Sequence, residues 1–139
     1  MEKVLLDTDI FSEITKRKNP KVEARAIEYR KIWKHYTISV LTVLEQVKGF
    51  QKIKRFDALQ DFLLKLPKIE VLLLDIDASK IAGSIYGDLE RTGQTIGRCD
   101  PMIAGIAIAN NLILATGNTE HYGRIKGLGY PLILENWKE

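Results

Sequence analysis

Val4-Leu5-Leu6-Asp7-Thr8-Asp9 decides how this chain is read: three apolar residues in a row stop at a polar Asp-Thr-Asp turn. Consecutive apolar positions are what a strand buried on both faces of a parallel sheet requires, and the acid after them stands at the strand's carboxyl end. The same alternation of short strands and helices continues outward. Val22, Ala26, Tyr29 and Trp33 recur at helical spacing and predict a helix over about 20–34 with one packed face. Tyr36 to Ser39 predicts a second strand, followed by a helix from Val40 to about Lys54 with Val40, Leu44 and Val47 turned inward. Phe56, Leu59, Leu63 and Leu66 form another apolar stripe, which Pro67 ends. Ile69 to Leu74 predicts a third strand, and Ile81, Ile85 and Leu89 place a helix between Ala78 and about Arg91. Asp100-Pro101 opens a helix that is apolar on nearly every side through Ala109, with small residues suited to close packing on a sheet. Leu112 to Ala115 predicts a fourth strand, and Pro131 to Leu134 a fifth at an edge, where proline is tolerated. Strands separated by helices imply an α/β architecture, a parallel sheet covered on both faces.

Composition narrows the function. A length of 139 residues suits one domain, residues 1–139, and 45% hydrophobic with 28% charged residues excludes a disordered or fibrous chain. The longest apolar stretch, Met102 to Ala109, is far shorter than the ~18 residues a membrane span needs. Met1-Glu2-Lys3 leads straight into the first strand with no secretory signal pattern, and the lone Cys99 can form no internal disulfide. Both features predict a reducing, cytoplasmic setting. Lys and Arg number 21 against 18 Asp and Glu, a net charge of +3 that permits a nucleic-acid partner without demanding one.

In an open parallel sheet, sites form beyond the carboxyl ends of the strands, and the polar residues predicted there are mainly acidic. Asp7 and Asp9 follow the first strand, Glu45 lies in the helix after the second, Asp100 begins the helix before the fourth, and Thr116-Gly117-Asn118 follows the fourth. Carboxylates gathered in one place repel one another unless a cation screens them, and hard oxygen ligands suit Mg²⁺ or Mn²⁺. Each acid also has a purely structural explanation. Asp7 is a favourable helix cap, Asp100-Pro101 is a plain helix start, and Thr42-x-x-Glu45 fits a capping box. Asp75 and Asp77 read as a helix entry and stay outside the candidate site. No glycine-rich phosphate loop and no nucleophile elbow is present, and two histidines with one cysteine make zinc a poor candidate.

The ordered set is more specific than its parts. Leu5-Leu6-Asp7-Thr8-Asp9, then Ser39-Val40-Leu41-Thr42-Val43-Leu44-Glu45, then Asp100-Pro101-Met102-Ile103-Ala104, then Thr116-Gly117-Asn118 together resemble the PIN-domain family, specifically the VapC-type toxins of prokaryotic toxin–antitoxin pairs. The resemblance runs from Leu5 to Asn136-Trp137. It implies a three-layer α/β/α fold with a central, mainly parallel sheet of 4–5 strands. It also implies a Mg²⁺- or Mn²⁺-dependent ribonuclease, with Asp7, Glu45 and Asp100 around the metal and Asn118 completing the catalytic set. An RNA substrate, a small cognate antitoxin and a homodimer follow from the same kinship. Two positions depart from the family pattern: Asp9 stands where asparagine is common, and His121, beside Glu120, stands where many relatives carry a further acid. Two other functions compete. The Asp7-Thr8-Asp9 opening also resembles that of haloacid-dehalogenase-like phosphatases, although no late acidic pair follows the fourth strand. A degenerate PIN-like domain that binds RNA or protein without cutting is the non-enzymatic alternative.

Overall fold

A computed structural model describes residues 1–139. Its elements run β1 (Val4–Leu6), α1 (Thr8–Lys16), α2 (Pro20–Trp33), β2 (Thr37–Ser39), α3 (Val40–Lys52) and α4 (Phe56–Lys65). After a 3₁₀ turn at Leu66–Lys68 come β3 (Glu70–Leu72), α5 (Ile76–Arg91), α6 (Asp100–Ala109), β4 (Ile113–Ala115), α7 (Thr119–Gly127) and β5 (Leu134–Glu135). The five strands form one parallel sheet in the order β3-β2-β1-β4-β5. Strand order therefore reverses at β1, whose neighbours β2 and β4 carry the chain away in opposite directions. In a parallel sheet, such a reversal of strand order is where a site is expected, beyond the carboxyl ends of β1 and β4.

β1 is the axis of the molecule. All three of its residues are buried, and successive side chains enter opposite layers. Leu5 packs with Ala78, Ile85, Ile103, Ile106 and Tyr122 of α5, α6 and α7. Val4 and Leu6 pack on the other face with Ile10, Phe11, Val22, Tyr29 and Phe62 of α1, α2 and α4. Each fully buried aliphatic side chain here contributes roughly 1.5–3 kcal/mol. Trp137, near the chain's end, closes the second layer and meets Tyr29 edge-on at 5.7 Å.

The expected three-layer α/β/α fold is present, with several local differences. The inner face of α3 is Leu41, Thr42 and Gln46, and Leu44, predicted inward, is exposed. The helix stands where it was expected and Val40 and Val47 pack on the core, but apolar periodicity misplaces the centre of its inner face because two of its three buried residues are polar. Gln46 donates to Ser12 Oγ at 2.8 Å, and Thr42 Oγ1 lies 2.9 Å from Thr8 Oγ1, so their burial is compensated. In α4 the buried residue is Phe62, while Phe56 and Leu63 of the predicted stripe are exposed. Gly105 of α6 fits against α5 rather than the sheet, since a Cβ there would lie 2.7 Å from the Ala78 carbonyl oxygen. The fifth strand is Leu134–Glu135, at the end of the predicted segment. Two short helices, α1 and α7, occupy segments where no helix had been delimited.

Candidate metal centre

Asp7 leaves β1 with its backbone still in the sheet, its N–H donating to the Ala115 carbonyl at 2.9 Å. Its carboxylate caps α1 as the helix-start explanation expects, Oδ1 accepting from the Thr8 N–H at 2.9 Å. It also does more than cap. Oδ2 accepts from the Thr116 hydroxyl at the end of β4 at 2.8 Å, and Oδ1 accepts from the Tyr122 hydroxyl at 3.1 Å. The same Tyr122 hydroxyl lies 3.2 Å from Asp100 Oδ1. Two carboxylates from opposite ends of the sequence thus meet at one buried phenol. That hydroxyl has a single proton, so at any instant one of the two acids goes without it.

Asp100 is the first residue of α6, whose cap position belongs to Cys99 and makes no side-chain capping bond. The structural explanation of Asp100 as a capping acid therefore fails, and its carboxylate points into the crevice. Asp100 Oδ2 is the one buried side-chain polar atom in the protein without a hydrogen-bond partner. His121 Nδ1 stands 3.6 Å from it, beyond hydrogen-bond reach, and pairs with the Asn118 amide at 3.0 Å. Gly97 makes room for the same oxygen: a Cβ at 97 would stand 2.6 Å from it.

Glu45 is brought to the rim by a different route. The Thr8 hydroxyl donates to Glu45 Oε1 at 2.7 Å. The capping box does not form, because Ser39 caps α3 by accepting from the Thr42 N–H. Glu45 and Asp100 line one cavity of about 930 Å³, together with Lys48, Tyr86 and Arg98. Glu45 nevertheless stands apart from the Asp7–Asp100 pair, and no three acidic, histidine or cysteine side chains close around a single point. Asp9 sits behind the pair, with Oδ2 accepting from the Gly117 N–H at 2.9 Å and Lys138 Nζ 3.6 Å away. Asn118 touches no carboxylate and reaches Asp100 only through His121.

The electrostatics follow from this crowding. Burial, with the charges of Asp9 and Asp100 added, pushes the Asp7 carboxyl up from 3.8 to about 7 against the opposing bonds from Thr116 and Thr8. Burial, then the charges of Asp7 and Asp100, push the Tyr122 phenol well above its usual 10. An orphaned buried carboxylate oxygen, a second carboxylate starved of counter-charge and an all-oxygen donor set fit a hard divalent cation. Two protein carboxylates, with water and a substrate phosphate as remaining ligands, are a usual complement for Mg²⁺.

The sequence reading named Asp7, Glu45 and Asp100 as candidates; the structure brings Asp7 and Asp100 together through Tyr122 and sets Lys138 near Asp9, and neither Tyr122 nor Lys138 was among the candidates. Tyr122 gave no motif signal, although its place three residues after Thr119, on a helix just beyond the fourth strand, was available. Lys138 is distant in sequence from every site acid and arrives only because buried Trp137 anchors the end of the chain.

The PIN domain family matches residues 4–127. The chain is similar to the tRNA(fMet)-specific endonuclease VapC of Shigella flexneri, 32% identical over 132 residues, covering 92% of this chain and 96% of that protein. It is likewise similar to ribonuclease VapC2 of Rickettsia felis, 34% identical over 101 residues and 72% of each chain. Among solved structures, VapBC2 of Rickettsia felis bound to a promoter DNA fragment superposes with a TM-score of 0.80 at 28% identity, over 98% of this chain and 99% of that one. DNA-bound VapBC of Salmonella typhimurium gives 0.77 at 28% identity over 99% of both.

Proposed function

The chain belongs to the PIN domain family, and on that premise we propose that it is a ribonuclease of the VapC type, the toxin of a toxin–antitoxin pair. It hydrolyses RNA phosphodiester bonds with a divalent metal ion, and a cognate antitoxin is its partner. The observation that carries the site is the meeting of Asp7 and Asp100 at the crevice of the sheet, with Asp100 Oδ2 left unpartnered. The same reading takes residues 1–139 as one domain and Mg²⁺ or Mn²⁺ as the ion. It also takes the cytoplasm as the setting and a homodimer as the working form; no helix is long and apolar enough to cross a membrane.

Asp7 and Asp100 hold the ion, and Glu45 acts from the adjoining wall. When bound, the ion polarises the scissile phosphate and makes water acidic enough to attack near neutral pH. The side chains divide the remaining work. Asp7 is fixed by donors from Thr8, Thr116 and Tyr122, so its position is set before substrate arrives. Glu45 is held through Oε1 by Thr8, and its second oxygen is available to orient the attacking water and take its proton. Lys48 and Arg98, in the same cavity, meet the phosphates flanking the cut. Asn118 orients His121 beside Asp100.

Incubating the purified chain with RNA, tRNA included, tests this reading. Cleavage should require Mg²⁺ or Mn²⁺, stop with chelator, and disappear in Asp100→Asn. Undiminished cleavage by that variant refutes the site, and hydrolysis of an aryl phosphate in place of RNA would restore the phosphatase alternative.

A further inference from the structure

Tyr122 is the one side chain that touches both Asp7 and Asp100, and it is fully buried on α7. Its ring belongs to the layer that packs β1 against α5 and α6, so neighbours on every side fix where the hydroxyl lies. The bonds are selective. The hydroxyl meets Oδ1 of each acid, while Asp7 Oδ2 belongs to Thr116 and Asp100 Oδ2 belongs to nothing. The Tyr122 bond is the one hydrogen bond that distinguishes the two oxygens of the Asp100 carboxylate. Gly97 beside Oδ2 offers no side chain, and His121 Nδ1, 3.6 Å away, is beyond hydrogen-bond reach.

We infer that Tyr122 is a positioning residue for the metal. By lying within hydrogen-bond reach of Oδ1 of both acids it sets their separation, and it leaves Asp100 Oδ2 as the oxygen that takes the cation. This rests on the reading of Asp7 and Asp100 as ligands, and it adds a residue that no family motif in this sequence supplied. Outer partners that orient ligating carboxylates are typically worth 10–100-fold in metal affinity.

Calorimetric titration of Mn²⁺ into the metal-free chain tests the inference without RNA or turnover. Tyr122→Phe keeps the ring and its packing and removes only the hydroxyl; it should weaken Mn²⁺ binding by about tenfold or more. Tyr130→Phe is the control. Its hydroxyl also donates to a carboxylate, Asp88 Oδ2 at 2.6 Å, outside the site, and its loss should leave Mn²⁺ affinity within about twofold. A folded Tyr122→Phe chain with unchanged affinity, or an equal loss in Tyr130→Phe, overturns the inference. A wild-type chain that binds no Mn²⁺ refutes the metal reading itself, and this inference with it. Should Tyr122→Phe not fold, the wild-type chain still decides. The buried hydroxyl proton should give a slowly exchanging NMR signal that moves on saturation with diamagnetic Mg²⁺, and an unmoved signal counts against the role.

Discussion

Replacing Asp7 by asparagine should stabilise the metal-free protein at pH 8 while destroying its response to metal. In the folded chain the Asp7 carboxyl is raised from 3.8 to about 7, chiefly by burial and then by Asp9. A carboxyl raised on folding contributes its full share of stability below pH 3.8, where folded and unfolded chains both hold the proton. As pH rises toward 7 the unfolded chain has released its proton and the folded one has not, so stability falls through that window. At 1.36 kcal/mol for each pH unit, ionised Asp7 costs the metal-free fold up to about 4 kcal/mol above pH 7. Asparagine removes that charge but fits the Thr116 and Tyr122 donors less well, at about 1 kcal/mol for each bond lost. The net gain is about 2 kcal/mol. For a chain of this length the melting temperature should rise by about 6 °C. The assay is thermal unfolding of both proteins in chelator from pH 5 to 8, comparing their difference so that other titrating groups cancel. Excess Mn²⁺ should reverse the order: a ligand at a hundred times its Kd adds about 2.7 kcal/mol to the wild type and little to the variant. If metal-free Asp7→Asn melts below wild type at pH 8, or the difference between them does not grow with pH, Asp7 is not held in the strained state described.

Three further outcomes follow from the geometry. Gly97→Ala would set a methyl 2.6 Å from Asp100 Oδ2; metal-dependent cleavage should drop by at least about tenfold, with a stability loss of about 1–3 kcal/mol in urea melts. Neutralising Lys48 and Arg98 together should leave Mn²⁺ affinity intact and lower the slope of log RNA affinity against log salt by about 1.4, measured with the non-cleaving Asp100→Asn chain; an unaltered slope would remove both from the RNA path. Trp137→Ala should cost about 3–5 kcal/mol by urea denaturation, because Trp137 is fully buried against Tyr29; a loss under about 1 kcal/mol would show that the end of the chain is dispensable to the fold.

Much of this molecule was legible one residue at a time. Val4-Leu5-Leu6 reads as a central strand because both faces of β1 are covered, so no position in it tolerates a polar side chain. Asp7 and Asp100 could be named as candidates because one follows β1 and the other opens α6, and Glu45 because it lies in the helix that follows β2. Other features were hidden for physical reasons. α7 carries only Tyr122 and Ile125 as buried residues among polar neighbours and glycines, so packing rather than local periodicity makes it a helix. The inner face of α3 is partly polar, and such a face is stable only when partners from another segment, Thr8 and Ser12, arrive to satisfy it.

From its residues alone, then, the chain determined the alternation of strands and helices and the acids that cluster chemistry at their ends, since both depend on local spacing. Which acids meet was decided only by the folded arrangement. Asp7 and Asp100 are joined through Tyr122, while Glu45 stands off on Thr8 and Asn118 acts through His121. Contacts between residues roughly a hundred positions apart depend on the packing of α6 and α7 around β1, and packing is a property of the whole core rather than of any one segment.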